Sequence, residues 1–138
     1  MATLRKLWVT LRTQDFPDGG TNANLWLDFQ QSGKSFKLPD QPGDDLERSA
    51  STTYDFNVDN LSTEDFIPGT VVLRNDNTGE KPGWRCKSVL IIGVGEDGKF
   101  YPVVAMSDVE RWLAADEPEG LTLVLDILRS SEIGVIGS

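Results

Sequence analysis

Hydrophobic residues recur at every second position in several stretches of this chain, and this alternation limits its fold more than any other feature. Successive side chains of a β-strand point to opposite faces, so a period of two indicates a strand with one buried face. The alternating residues are Leu7, Val9 and Leu11; Leu25, Leu27 and Phe29; Tyr54, Phe56 and Val58; and Leu121, Leu123, Leu125 and Ile127. Repeated strands of this kind predict an all-β protein.

The stretch from Thr70 to Ile92 has the pattern of a strand, a polar loop and a second strand. In the loop, Asn75–Gly79 consists of residues that favour turns, because Asn and Asp side chains bond their own backbone. Trp84 opens the second strand and is predicted to anchor the core, since a buried indole contributes a large apolar area. Cys86 on the same strand is predicted to be a buried structural thiol. As the chain's single cysteine it permits no internal disulfide.

Two shorter signals mark connections between strands. Asp97 and Gly98 predict a hairpin turn, after which Phe100–Val104 forms the returning strand. Leu61–Asp65 predicts a short helical turn in which Ser62 is the N-cap. The total is seven or eight strands at the spacing typical of an antiparallel sandwich.

The best helical window covers Ser107–Ala115. Ser107 can cap this helix, and Glu110, three positions later, completes a capping box. Trp112 then lies on the apolar face and is predicted to pack in the core. The length predicts one or two turns over one end of the sandwich.

Charge and composition exclude several classes of function. Lys and Arg number 13 against 22 Asp and Glu, a formal charge of −9. Binding to nucleic-acid phosphates needs a basic patch. Anionic membranes repel an acidic surface unless a divalent cation reverses its local charge. The chain has no histidine, which removes Ser-His-Asp and Cys-His catalysis and most zinc sites.

The chain shows neither a signal sequence nor a membrane span. Thr10 and Arg12 interrupt the early apolar stretch, which is too short for a signal peptide. No run approaches the about 20 apolar residues that a spanning helix needs. We therefore expect a soluble or peripheral membrane protein, with the compartment left open.

Four motifs in order resemble one family. They are Gly20–Asn24 followed by Leu25–Leu27; Tyr54–Val58; Asn75–Gly79 followed by Pro82–Trp84 and Lys87–Val89; and Arg111–Leu113. This series resembles the PLAT domain, a β-sandwich module of lipoxygenases, some lipases, polycystins and a bacterial alpha-toxin. The resemblance covers Leu4 to Leu128, nearly the whole chain.

The resemblance completes the predicted fold. It implies two four-stranded sheets packed face to face, which agrees with the strand count. We therefore predict an all-β, antiparallel eight-stranded β-sandwich with one short helix. Residues 1–129 form this PLAT-like domain, and residues 130–138, which carry no clear pattern, form a C-terminal tail.

The most polar segment, residues 40–52, contains a cluster of acidic side chains. Asp40, Asp44, Asp45 and Glu47 lie within eight positions. A solvated connection between strands would look the same, and the spacing is not that of an EF-hand. Carboxylate oxygens are, however, the ligands that calcium prefers. The sequence alone leaves both interpretations open.

The resemblance favours calcium. Family members that bind calcium use this acidic segment together with the Gly-Thr-Asp/Asn loop. The predicted metal-binding residues are Gly20, Thr21, Asn22, Asp44, Asp45, Glu47 and Asp76. Many members have Asp where this chain has Asn22, and a carboxylate where it has Gly83; Asp76 or Glu80 in the same loop would substitute for the latter. Fewer carboxylates predict a weak calcium site.

The resulting prediction is a non-catalytic module for calcium-assisted attachment to a lipid or membrane surface. Calcium would neutralise and order the acidic loops, while Phe16, Pro17 and Lys81 contact the lipid interface. A lone exposed aromatic at Phe16 would need no such role.

Two other functions were compared with membrane attachment. The alternative hypothesis is a docking adaptor that binds a partner protein or catalytic domain and no membrane. An enzyme is the weakest hypothesis, because Asp44 and Glu47 lie in a loop without apolar surroundings that would separate the pKa values of two carboxyl groups. We therefore predict that the domain is not an enzyme, and the acidic charge predicts that it does not bind nucleic acid.

Overall fold

The structure of the protein, a computed structural model, describes residues 2–15, 20–21, 23–39, 46, 48–78, 83–118 and 120–128. Across these residues the chain forms nine strands and one 3-10 turn. The strands are β1 (Thr3–Thr13), β2 (Leu25–Phe29), β3 (Lys34–Lys37), β4 (Ser51–Ser62), β5 (Val71–Asn75), β6 (Trp84–Gly95), β7 (Phe100–Met106), β8 (Arg111–Leu113) and β9 (Thr122–Val124).

Two antiparallel sheets pack face to face and confirm the predicted β-sandwich. The first sheet has the order β4-β1-β6-β7, with β8 paired to the start of β6, and the second has the order β3-β2-β5-β9. The described strands thus divide five and four, where two sheets of four were predicted. The extra strand is β8, which pairs with residues 84–86 of β6.

The alternating residues of the sequence form the core between the sheets. On β1 and β2 every predicted core position is buried, as at Leu7, Leu11 and Leu27, while Trp8 and Trp26 face outward and are half-buried. Trp84 is fully buried, as predicted, and its Nε1–H donates to the Thr13 hydroxyl at 2.9 Å. The indole therefore has both the apolar contacts and the acceptor that a buried tryptophan requires.

The predicted helix at Ser107–Ala115 is wrong. Arg111–Leu113 forms β8, which pairs with β6 in the five-stranded sheet. The capping pattern had assigned these residues to a helix. Glu110 has a positive φ of 49°, which no helix allows, and its carboxylate pairs with Lys87 at 3.0 Å. Because Lys87 also pairs with Asp108 and accepts from the Val109 N–H through its carbonyl, tertiary contacts outweigh the local signal.

The other local predictions fare better. Thr63–Asp65 forms the helical turn with Ser62 as its N-cap, and Gly98 lies in the predicted hairpin between β6 and β7. The last strand is shorter than predicted. After Val124 the chain leaves β9, and Ile127 bridges to β7 in the other sheet.

The predicted C-terminal tail, residues 130–138, lies outside the described residues. In the portion of the chain that is described, no helix is long and apolar enough to cross a membrane.

The burial of Cys86 leads to a testable prediction. Its side chain is fully buried on β6, and this burial raises the pKa of the thiol to about 12. The thiolate is the nucleophile, so the folded protein should not react with a thiol reagent at pH about 8. We expect full labelling only in denaturant, measured by absorbance with a disulfide reagent. Rapid labelling of the folded protein would contradict this placement.

Candidate functional site

Connections from both sheets meet at one end of the sandwich, which we call the rim. It is the end at which β1 and β5 finish and β2, β4 and β6 begin. At the rim the Thr13 N–H donates to the Ala50 carbonyl, and the Gln14 N–H donates to the Arg85 carbonyl. The β1–β2, β3–β4 and β5–β6 connections therefore start from neighbouring positions.

A backbone hydrogen bond joins the first two of these connections. The Thr21 N–H donates to the Leu46 carbonyl at 3.1 Å, and both side chains are buried. Thr21 is fixed further because its hydroxyl accepts from the Ala23 N–H at 3.0 Å. Leu46 is held by a bond from its own N–H to the Thr52 hydroxyl. The Gly-Thr loop and the acidic connection are thus anchored to each other.

Asp76 anchors the third connection to the start of β2. Its Oδ1 accepts from the Asn24 N–H at 3.2 Å and from the N–H and hydroxyl of Thr78, and its Oδ2 accepts from Trp26 Nε1 at 3.1 Å. Burial alone would raise the pKa of Asp76, but these hydrogen bonds outweigh it and lower the pKa. The carboxylate also explains how Trp26, on the outer face, is covered by a neighbouring loop.

Asn75 links the two sheets just below this loop. Its side chain is buried, and Nδ2 donates to the Leu113 carbonyl on β8 at 2.9 Å while Oδ1 accepts from the Asn77 N–H at 2.8 Å. From the sequence, Asn75 is predicted only as a turn-forming residue. Its signal was its position as the last residue of an apolar strand, where a buried polar side chain requires partners.

Three of the predicted site residues fall within the described part of the chain. Gly20, Thr21 and Asp76 all lie at the rim. The others lie outside the described residues: Asn22, Asp44, Asp45 and Glu47 of the metal set, and Phe16, Pro17 and Lys81 of the membrane set. Among the residues that are described, no group of three or more acidic, cysteine or histidine side chains could hold a metal ion.

A charged pair on the outer face of the second sheet gives the fold a dependence on pH. Arg74 donates from Nε to Asp28 Oδ2 at 2.6 Å and lies over the Trp26 ring. Burial alone would raise the pKa of Asp28, but hydrogen bonds from Arg74 and Ser35 and the charge of Arg74 together lower it. The pair therefore favours the ionised carboxylate in the folded state.

We expect the stabilisation from Asp28 to disappear in acid. A carboxyl group with a lowered pKa in the folded state stabilises above its unfolded pKa of about 4 and loses that contribution as pH falls through the lowered value. Because the pair is partly exposed, the contribution at neutral pH should be at most about 1 kcal/mol. Urea unfolding of wild type and Asp28→Asn across this range measures it. A difference that stays constant down to about pH 3 would contradict the assignment.

One known protein family matches most of the chain. The profile of the family described as PLAT/LH2 domain matches residues 7–126. The chain belongs to the PLAT/LH2 domain family. The match confirms the resemblance inferred from the four motifs, and it spans all the strands from β2 to β9. No curated protein matches the chain significantly.

Solved structures share the fold of this PLAT/LH2 domain. Alpha-toxin from Clostridium absonum matches with a TM-score of 0.62 and 20% identity, over 93% of this chain and 32% of the toxin. Coral 8R-lipoxygenase, described as activated by calcium through a C2-like domain, matches with a TM-score of 0.58 and 21% identity, over 88% of this chain and 17% of its own.

A third structure shows the same proportions. A calcium-dependent 11R-lipoxygenase matches with a TM-score of 0.51 and 21% identity, over 89% of this chain and 17% of that protein. The PLAT/LH2 domain thus spans about a third of the toxin and about a sixth of each lipoxygenase. At these identities the likeness shows a common fold.

Gly83 marks the one described rim position at which this PLAT/LH2 domain departs from the acidic pattern of the resemblance. A Cβ placed on Gly83 would lie 3.3 Å from the Ala114 Cβ and about 4 Å from the Trp112 ring. Ala114, directly after β8, thus packs closely against this position, whereas the Trp112 ring lies at ordinary contact distance. A carboxylate side chain here would require Ala114 to shift by a few tenths of an ångström.

Proposed function

We propose that this PLAT/LH2 domain is a non-catalytic module that binds calcium at the rim and thereby attaches to a lipid surface. One observation carries the proposal: the bond from the Thr21 N–H to the Leu46 carbonyl. It joins the two connections from which the resemblance draws the calcium ligands. Leu46, which is bonded to Thr21, is the direct chain neighbour of both Asp45 and Glu47.

Electrostatics supports a need for calcium. The chain carries a formal charge of −9, and residues 40–47 contain four of its carboxylates. An anionic lipid surface would repel this region. A bound divalent cation would neutralise these carboxylates, so that Phe16, Pro17 and Lys81 can approach the interface.

The proposed site is weak because few of its ligands are charged. Asn22 and Gly83 stand where a carboxylate would strengthen binding, so Asp44, Asp45 and Glu47 supply the charge. Asp76 acts chiefly by positioning its loop, because its Oδ1 already accepts three hydrogen bonds. Its Oδ2 accepts one, from Trp26, and is the oxygen with capacity for a cation.

Structural relatives add support of a general kind. The coral lipoxygenase is described as activated by calcium through a C2-like domain, and the 11R-lipoxygenase as calcium-dependent. This chain shares the fold of both across most of its length. Binding of calcium by the present domain would extend that behaviour to it.

Co-sedimentation with vesicles tests the proposed attachment. Vesicles of phosphatidylcholine alone and of phosphatidylcholine mixed with phosphatidylserine are spun with the protein in millimolar calcium or in chelator. We expect pelleting only in calcium. The double variant Asp44→Asn, Asp45→Asn should not pellet, while Asp59→Asn, which removes an exposed carboxylate from β4, should behave as wild type. Equal pelleting in chelator and calcium would contradict the calcium requirement.

Docking to a protein is the second candidate. It is favoured by the small share of the toxin and lipoxygenase chains that the domain covers, since the rest of each chain offers a surface for docking. Absence of pelleting under both conditions would favour this candidate over membrane attachment.

A further inference from the structure

A groove crosses the outer face of the first sheet, on a different part of the molecule from the rim connections. It has a volume of about 290 Å³ and is lined by Trp8, Thr10, Thr53, Asp55, Leu90 and Ile92. Pockets for small ligands begin at about this size. The lining residues come from three adjacent strands, β4, β1 and β6, so the floor is held by sheet hydrogen bonds.

The register of these strands gives the groove a polar side and an apolar side. One cross-strand row runs Asp55–Trp8–Ile92 and the next runs Thr53–Thr10–Leu90. The β4 side thus offers a carboxylate and a hydroxyl, and the β6 side offers two aliphatic side chains. The middle strand, β1, contributes the indole and the second hydroxyl.

Trp8 is held in place although it is only half-buried. Its ring stacks on Phe100 of β7, with centroids 5.1 Å apart and an interplanar angle of 29°. This contact fixes the indole before any ligand arrives, which lowers the entropy lost on binding. Leu90, beside it, is 39% exposed, so apolar surface that water now covers is available for contact.

The polar groups of the groove are ordered and carry no net charge. Lys6 Nζ lies 3.0 Å from Asp55 Oδ1, and the hydroxyls of Thr10 and Thr53 are 2.9 Å apart. Each pair leaves donors or acceptors to spare, because a hydroxyl and a carboxylate can each make several hydrogen bonds. The local charge is balanced in a protein whose overall charge is −9.

We propose that this groove binds a neutral saccharide. The C–H face of a sugar ring stacks on an indole, whose π-face is negative, and its hydroxyls pair with fixed donors and acceptors. The groove presents both kinds of surface side by side. Other ligands fit the groove less well. An anion would meet the Lys6 ammonium, which is already paired with Asp55. A quaternary ammonium would find one indole among the lining residues rather than an aromatic cage, and an acyl chain would remove water from the Asp55 carboxylate.

Titration with neutral oligosaccharides tests this site. The protein has four tryptophans, and each gives one indole N–H signal in a ¹⁵N spectrum. The probes are gluco-, manno-, xylo- and N-acetylglucosamine oligomers. We expect at least one to shift the Trp8 signal with dose and to leave that of the buried Trp84 in place. Chelator should not change the affinity, which separates this site from the calcium proposal.

Variants locate the binding and guard against loss of folding. By calorimetry, Trp8→Ala and Asp55→Asn should each weaken binding about tenfold. Thr53→Val keeps the shape of the side chain, so it should remain folded and still weaken binding. Val124→Thr on the outer face of the second sheet should bind as wild type.

Two results would overturn the proposal. The first is that no oligosaccharide shifts the Trp8 signal, whether or not choline or lipid vesicles shift it. The second is oligosaccharide binding that survives in Trp8→Ala, Asp55→Asn and Thr53→Val alike.

Discussion

Replacing Trp84 with alanine should lower the free energy of unfolding by about 3–5 kcal/mol. The side chain is fully buried between the sheets, so its loss removes a large apolar contact area and leaves a cavity. The change also leaves the Thr13 hydroxyl without the indole donor at 2.9 Å. Domains of this kind are stable by about 5–15 kcal/mol, so the loss is a large share of the total. Urea unfolding followed by circular dichroism measures it.

Two matched variants separate the causes. Trp112→Ala changes the same residue type on the neighbouring strand, where the ring is half-buried against Arg85, and should cost less than half as much. Thr13→Val removes the hydrogen bond and keeps the shape, with an expected cost of about 1–2 kcal/mol. If Trp84→Ala and Trp112→Ala cost the same, Trp84 is not the anchor of this core.

Asn75→Ala should cost about 2–3 kcal/mol, the second largest effect. The side chain is buried, and its amide satisfies the Leu113 carbonyl of the opposite sheet at 2.9 Å. Removing it leaves that buried carbonyl without this donor and the Asn77 N–H without its acceptor. Chemical unfolding measures the cost. Because Asn75 also holds the start of the β5–β6 connection, amide exchange should quicken at residues 76–78.

Asn57→Ala provides the control for this change. Asn57 is an exposed asparagine on β4, and surface replacements of this kind stay within about 0.5 kcal/mol. A cost for Asn75→Ala no larger than that of Asn57→Ala would show that the contact with Leu113 does not hold the rim together.

The parts of the fold that were predictable are those in which local pattern and tertiary packing agree. The alternation at Leu7–Leu11 and Leu25–Phe29 identified strands and their buried faces, because one-sided burial repeats with the period of the backbone. The segment around Arg111–Leu113 was misassigned because its capping residues satisfy a helix rule locally but bond to Lys87 in the fold. Nothing in the sequence near Glu110 reveals a partner more than twenty residues away.

The same limit applies to the site. The motif Gly20–Asn24 identified the loop, yet only the structure shows Thr21 bonded to Leu46. Asp76 was predicted as a ligand because it is acidic and near Trp84, whereas its carboxylate binds Asn24, Thr78 and Trp26. The residue type thus predicted that Asp76 lies at the rim, and its hydrogen bonds show that it fixes the β5–β6 connection to the start of β2.

Thermal unfolding with and without millimolar calcium tests the central claim most directly. A ligand that binds only the folded state stabilises it, by about 2.7 kcal/mol at a hundredfold excess over Kd. We expect calcium to raise the melting temperature of the wild type, magnesium to raise it less, and Asp45→Ala to abolish the shift. An unchanged melting temperature in calcium, or the same increase in Asp45→Ala, would contradict a calcium site at the rim.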